Sequence, residues 1–282
     1  MLTTLVDTTT LARHLDDPGW IVVDCRFALT DSERGRRAYT AGHIPGARYA
    51  HLADDLSSPV TSVSGRHPLP FPKVLAEKLG AWGIDKTKQV VAYDDSFGAM
   101  AAARLWWLLR WLGHESGAVL DGGFPKWQRE GHAVAQQPAR TAPTQFHPVI
   151  NNELLVDSTL VEKLSQKRAG LIIDARSEER FRGEIEPFDK VAGHIPGAVN
   201  LPYEDNLDFS GEFMSGEALR EHYLAVLDKV APEQVVHTCG SGVTACHNVL
   251  AMEHAGLTGA KLYPGSWSEW IADANRPVAK GE

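Results

Sequence analysis

The sequence is poor in cysteine, with three in 282 residues: Cys25, Cys239 and Cys246. An odd count in a chain of this size does not make a disulfide framework, which excludes the small stapled domains of secreted proteins. Runs of lysine and arginine are also missing. With 28 basic against 36 acidic residues the formal charge is −8, which argues against nucleic acid or an anionic membrane surface as the main partner. Long apolar runs are absent too. The most apolar stretch, 97–112, is interrupted by Arg104 and Arg110 and is too short to span a bilayer. The N-terminal MLTTLVDTTT has neither the basic nor the apolar region of a secretory signal. These absences lead to the expectation of a protein of a reducing, cytoplasmic compartment.

What the chain does contain is a repeat of itself. Gly42-His43-Ile44-Pro45-Gly46-Ala47 recurs as Gly193-His194-Ile195-Pro196-Gly197-Ala198. Upstream of each copy an apolar run ends in Asp-x-Arg, first at Asp24 and Arg26, then at Asp174 and Arg176. Downstream, Val90 to Asp94 matches Val235 to Cys239, and Leu120 to Trp127 matches Tyr263 to Trp270. Four landmarks in one order at a nearly constant offset indicate a tandem duplication. The expected division is a first domain over 1–135, a linker over 136–149 rich in Pro, Gln, Thr and Ala, and a second domain over 150–282. Short apolar strands alternate with helical patterns in each half. The expected fold is therefore α/β: two domains, each a mostly parallel sheet with helices on both faces.

The chemistry concentrates in Cys239-Gly240-Ser241-Gly242-Val243-Thr244. An apolar strand ends at a cysteine between small residues, and a helical pattern follows at once. Ligands of open parallel sheets bind beyond the carboxyl ends of the strands, where Cys239 falls. Backbone N–H groups converging there, with the dipole of the following helix, favour an anion and hence the nucleophilic thiolate. Glycines at 240 and 242 let the backbone close around the sulfur. The first half carries Asp94 at the matching position. A carboxylate is not a thiolate nucleophile, so that half is expected to be non-catalytic. Cys25 and Cys246 are expected in the core. His43 and His194 recur in both halves although only one half has a nucleophile, so they are expected to fix turns. The Asp-x-Arg pairs are expected to be scaffolding, and Trp106, Trp107 and Trp111 to pack a core.

Tandem halves with Asp-x-Arg, Gly-His-Ile-Pro-Gly-Ala and one cysteine loop resemble the two-domain rhodanese-type sulfurtransferases over nearly the whole chain. TCGSGVTAC, 238–246, is most similar to the loop of the 3-mercaptopyruvate enzymes among them. The resemblance implies that Cys239 takes sulfur from 3-mercaptopyruvate as a persulfide, releases pyruvate and passes the sulfur on. The acceptor would be cyanide, a small thiol or a thioredoxin-like protein thiol, with no metal and no organic cofactor. Thiosulfate is the alternative donor. The resemblance also makes Arg180 a carboxylate-binding residue, with Gly240, Gly242 and Val243 lining the loop. It gives Ser241 and Thr244 the donor's carbonyl and proton, and completes a proton-handling group with His67 and Asp54 or its neighbour Asp55. A second arginine common in mercaptopyruvate enzymes is missing from 184–190, leaving Arg182, Lys190 or Arg66 as replacements. Two other classes fit less well. A phosphatase of this fold needs an arginine closing the cysteine loop, where this chain has Thr244 or Ala245. A non-enzymatic binding module suits the first half alone, since Cys239 is retained in the second.

Overall fold

Strands that are apolar at consecutive positions need cover on both faces. Ile21 to Val23 and Leu171 to Ile173 are of that kind, and each lies inside an all-parallel sheet. The computed structural model describes residues 1–140, 142–167 and 170–281. Thr141 of the expected linker and Glu282 at the end of the expected second domain lie outside the described residues.

The chain forms two compact units whose membership does not follow sequence order. One comprises residues 1–58, 69–151 and 209–212; the other comprises 59–68, 152–208 and 213 onward. In the first, strands β1 (Leu5–Val6), β2 (Trp20–Asp24), β3 (Arg48–Tyr49), β4 (Gln89–Tyr93) and β5 (Gly117–Leu120) form a sheet of order β1-β5-β4-β2-β3. Its helices are α1 (Thr8–Arg13), α2 (Arg34–Ala41), α3 (Pro72–Ala81), α4 (Ala102–Trp111) and α5 (Gly123–Arg129). In the second, β6 (Leu171–Asp174), β7 (Val199–Asn200), β8 (Val235–Thr238) and β9 (Lys261–Leu262) are ordered β7-β6-β8-β9. Helices α6 (Ser158–Lys167), α7 (Glu178–Arg182), α8 (Gly216–Leu227), α9 (Ala245–His254) and α10 (Ser266–Trp270) accompany it. Every strand pair is parallel, as the alternating pattern predicts. No described helix is long and apolar enough to cross a membrane.

The repeated motifs hold the same places in both units. Val22, Ile44, Val91 and Trp127 share one core cluster, and Ile172, Ile195, Val236 and Trp270 share the other. Arg26 reaches Asp24 at 2.6 Å and the Gly42 carbonyl at 2.6 Å; Arg176 reaches Asp174 at 2.7 Å and the Gly193 carbonyl at 2.8 Å. Each buried ion pair thus fastens the end of a strand to the Gly-His-Ile-Pro-Gly turn. A buried pair of this kind specifies geometry more than it adds stability, because desolvation offsets most of the Coulomb attraction. His43 stacks on Tyr39 and shares a hydrogen bond with its carbonyl, as His194 does with Phe181. The turn histidines are therefore tied to backbone, in the scaffolding role their symmetry suggests. Cys25 and Cys246 are fully buried, and none of the three cysteines is in a disulfide. Trp106, Trp107 and Trp111 are buried along α4.

His237, fully buried in β8 beside the cysteine loop, approaches the Met252 sulfur at 3.0 Å. Burial pushes its pKa from the ordinary 6.5 down to about 3. Between those values the unfolded chain takes up a proton that the folded chain refuses, so stability falls as pH falls. Between pH 7.5 and pH 5, urea unfolding should show the wild type losing about 2 kcal/mol more than His237→Asn. Equal losses in the two proteins would contradict a neutral buried histidine.

Candidate active site

Strand β8 stops at Thr238, and Cys239 to Thr244 carry the chain to α9. The first residues of α10 set the shape of this loop. Trp267 N–H donates to the Cys239 carbonyl at 3.0 Å, and Ser268 N–H to the Gly240 carbonyl at 2.9 Å. Cys239 N–H donates to Ser266 Oγ at 3.1 Å, and that hydroxyl donates to the Tyr263 carbonyl at 2.9 Å. Ser266 adopts a left-handed φ of 53° to do so, a conformation that costs a non-glycine residue about 1–3 kcal/mol. With the carbonyls drawn outward, Gly242 N–H donates to Cys239 Sγ at 3.2 Å. Gly242 has φ +74°, and a side chain there would run into the Pro264 carbonyl, so only glycine fits. Cys239 is 1% exposed. Val243 is buried, and its carbonyl accepts from Cys246 N–H. The Cys246 thiol donates to the Gly242 carbonyl at 3.3 Å, so this second cysteine helps hold the loop. Thr244 stands at the N-cap of α9 without a side-chain capping bond.

The matching loop of the first unit shows what such a turn can hold. Asp94 is fully buried, and its carboxylate accepts from the N–H groups of Ser96, Gly98, Met100, Ala101 and Ala102 at 2.8–3.2 Å. Burial pushes its pKa up, against the pull of the Ser96, Ala102 and Gly98 N–H groups. The loop after β4 is therefore an anion cradle already filled by its own side chain.

His67 reaches the cysteine loop from the 59–68 segment. Its Nδ1 lies 2.8 Å from Ser241 Oγ, and both side chains are buried. The segment is clipped to α10, with Arg66 N–H donating to Ser268 Oγ at 3.0 Å and Gly65 lying against the Gly265 carbonyl. Asp54 belongs to the first unit, where its exposed carboxylate is 3.2 Å from His51 Nδ1 and 3.8 Å from Arg36. Asp55 also lies there, paired with Lys78 at 2.5 Å. Among the sequence candidates, Cys239, Gly240, Ser241, Gly242, Val243, Thr244, His67 and Arg180 fall in one unit, and Asp54 falls in the other.

Two guanidinium groups converge on Gly240. A Cβ placed there would be 2.8 Å from Arg66 Nη2 and 3.3 Å from Arg180 Nη2. Of the replacements open for the missing arginine, Arg66 lies at the loop, while Arg182 pairs with Glu178. Behind the arginines stand two acids that the sequence analysis did not single out. Glu186 accepts from Arg180 at 2.8 Å, from Arg176 at 3.4 Å and from the N–H groups of Phe188 and Asp189. Asp189 bridges Arg66 and Arg180, hydrogen-bonded to the first and 3.5 Å from the second. The signal was present in the sequence: where an arginine was expected, 184–190 offers three acids. Both guanidinium groups also face the Phe188 ring, at 5.9 Å and 5.1 Å from its centroid. Among the described residues no group of His, Cys, Asp and Glu could hold a metal ion.

A buried thiol receiving an N–H at a strand end, beside a histidine–hydroxyl pair and two arginines, is equipped for nucleophilic attack on an anionic molecule. Comparison with known proteins agrees in kind. Residues 7–130 and 157–273 each match the rhodanese-like domain model. The chain is 49% identical over 275 residues to a probable 3-mercaptopyruvate sulfurtransferase of Pseudomonas aeruginosa, covering 96% of each. It is 38% identical over 266 residues to a putative thiosulfate sulfurtransferase of Mycobacterium tuberculosis, covering 92% of this chain and 90% of the relative. It superposes on the 3-mercaptopyruvate sulfurtransferase of Leishmania major with a TM-score of 0.85 at 31% identity, covering 98% of this chain and 75% of the other. With two matched domains and relatives this similar along its whole length, the chain belongs to the rhodanese-like family and, within it, to the two-domain sulfurtransferases.

Proposed function

We propose that the chain moves sulfur from 3-mercaptopyruvate, through a persulfide on Cys239, to a thiol or cyanide acceptor. The observation that carries this reading is the loop itself. Cys239 Sγ accepts the Gly242 N–H inside an uncharged Gly-Ser-Gly turn, with the Arg180 guanidinium beside Gly240. In the first half-reaction the Cys239 thiolate attacks the donor sulfur. The S–S bond forms, the carbon–sulfur bond breaks, and its electron pair leaves on carbon as the enolate of pyruvate. The donor's thiol proton is free to travel to that enolate, leaving the persulfide anion under the loop N–H groups. In the second half-reaction the acceptor attacks the outer sulfur, and the S–S bond breaks to restore the thiolate.

Each nearby side chain has a part. Arg180 holds the donor carboxylate, for which a guanidinium is the fitting shape. Ser241 Oγ, 2.8 Å from His67 Nδ1, donates to the donor carbonyl, and His67 relays the proton. Thr244 offers a second hydroxyl at the loop's end, while Gly240, Gly242 and Val243 supply backbone. Asp94 cannot form a persulfide, so the loop after β4 supplies no second nucleophile. The acceptors we favour are small thiols and thioredoxin-like protein thiols of a reducing cytoplasm, with cyanide as the laboratory substitute.

Steady-state assays with cyanide as acceptor should give a higher kcat/KM for 3-mercaptopyruvate than for thiosulfate; equal or faster turnover of thiosulfate would falsify the donor assignment. After donor treatment, intact-mass measurement should find one extra sulfur atom on the wild type and none on Cys239→Ser. Arg180→Ala should lower kcat/KM for 3-mercaptopyruvate about 10–100-fold, the size expected for a lost charged hydrogen bond, with a smaller loss for thiosulfate. Equal losses for both donors would remove Arg180 from the carboxylate site.

A further inference from the structure

The charges behind the cysteine loop cancel. Arg66, Arg176 and Arg180 are matched by Asp174, Glu186 and Asp189, each acid within 4 Å of at least one of these arginines. Asp174 is committed to Arg176, and Glu186 is held by Arg176, Arg180 and two backbone N–H groups. Asp189 differs from both. Its side chain is only 5% exposed, it pairs with Arg66 and Arg180, and among the described residues its Oδ2 makes no hydrogen bond. That oxygen faces the Arg180 guanidinium in an ion pair at 3.5 Å. These are also the two arginines that face Gly240.

We propose that Asp189 is a specificity-determining residue. By bridging Arg66 and Arg180 it cancels one of the two positive charges beside the loop, and so fits the site to donors with one negative charge rather than two. The proposal rests on the reading that Cys239 takes sulfur from an anionic donor. Its physics is a charge count. With the cluster balanced, Arg180 offers the donor hydrogen bonds without net charge, and the uncompensated positive field is that of the loop N–H groups and the α9 dipole, equivalent to roughly half a charge. That suffices for a monoanion such as 3-mercaptopyruvate and undercompensates a dianion such as thiosulfate. Uncovering one positive charge would help the dianion twice as much as the monoanion, since Coulomb energy scales with the product of charges.

The test is Asp189→Asn, which keeps the shape and one acceptor but removes the charge. Cys239 is alkylated with iodoacetate and with iodoacetamide, which differ in the carboxylate charge, and the modified residue is followed by peptide mass spectrometry. The ratio of the two rate constants cancels any change in the thiol's own reactivity. It should rise about tenfold in Asp189→Asn and fall by a similar factor in Arg66→Gln, the opposite charge change at the same bridge. In turnover, Asp189→Asn should shift the preference toward thiosulfate about tenfold relative to 3-mercaptopyruvate. If Asp189→Asn fails to fold, Arg66→Gln carries the alkylation test alone. An unchanged ratio in either folded variant, or a fall in Asp189→Asn as expected of a purely positioning role, overturns the proposal. Alkylation requires no sulfur donor. If neither donor is turned over by the wild type, the sulfur-transfer reading fails while the ratio still decides the role of Asp189.

Discussion

The cysteine loop depends on where its carbonyls go. A tight turn has as many C=O groups as N–H groups, and an anion is stabilised only when the carbonyls face elsewhere. Here the N-terminus of α10 takes the Cys239 and Gly240 carbonyls, and Ser266 accepts the left-handed conformation that completes the clamp. The Gly242 N–H is then left facing the sulfur. The Trp267 and Trp270 side chains that lock α10 into the core are thus the outer end of a chain of contacts whose inner end is the nucleophile.

The first unit gives an internal control for this geometry. It keeps the strand, the turn and the following helix, and Phe124 N–H donates to the Asp94 carbonyl as Trp267 N–H does to the Cys239 carbonyl. It fills the cradle with a carboxylate that five N–H groups hold. The duplicated fold thus supplies an anion-binding turn twice. One copy fills it from within with the Asp94 carboxylate; the other holds the Cys239 thiol.

Much of this was legible in the sequence because duplication writes local motifs twice. The parallel sheets, the Asp-x-Arg scaffold and the turn histidines follow from residues close together in the chain, and Cys239 stands out because its counterpart is Asp94. Arg180 and His67 were found through resemblance. What stayed hidden was long-range charge pairing. Arg66 and Asp189 are 123 residues apart, no periodicity links them, and although the resemblance offered Arg66 as a replacement arginine, nothing pointed to Asp189 as its partner. For the 59–68 segment the resemblance supplied His67 but not the unit it joins: its place in the chain puts it with the first half, whereas the Ser268 clip and the His67–Ser241 contact put it with the second.

That segment changes what the duplication means. Two copies of a domain joined by a linker are, in principle, separable genes, and either could be lost or exchanged. Once His67 and Arg66 were lent from the middle of the first copy to the site of the second, no single cut in the chain could release the site whole. The site is discontinuous in sequence, so the half without the loop cysteine must be inherited with the half that carries it.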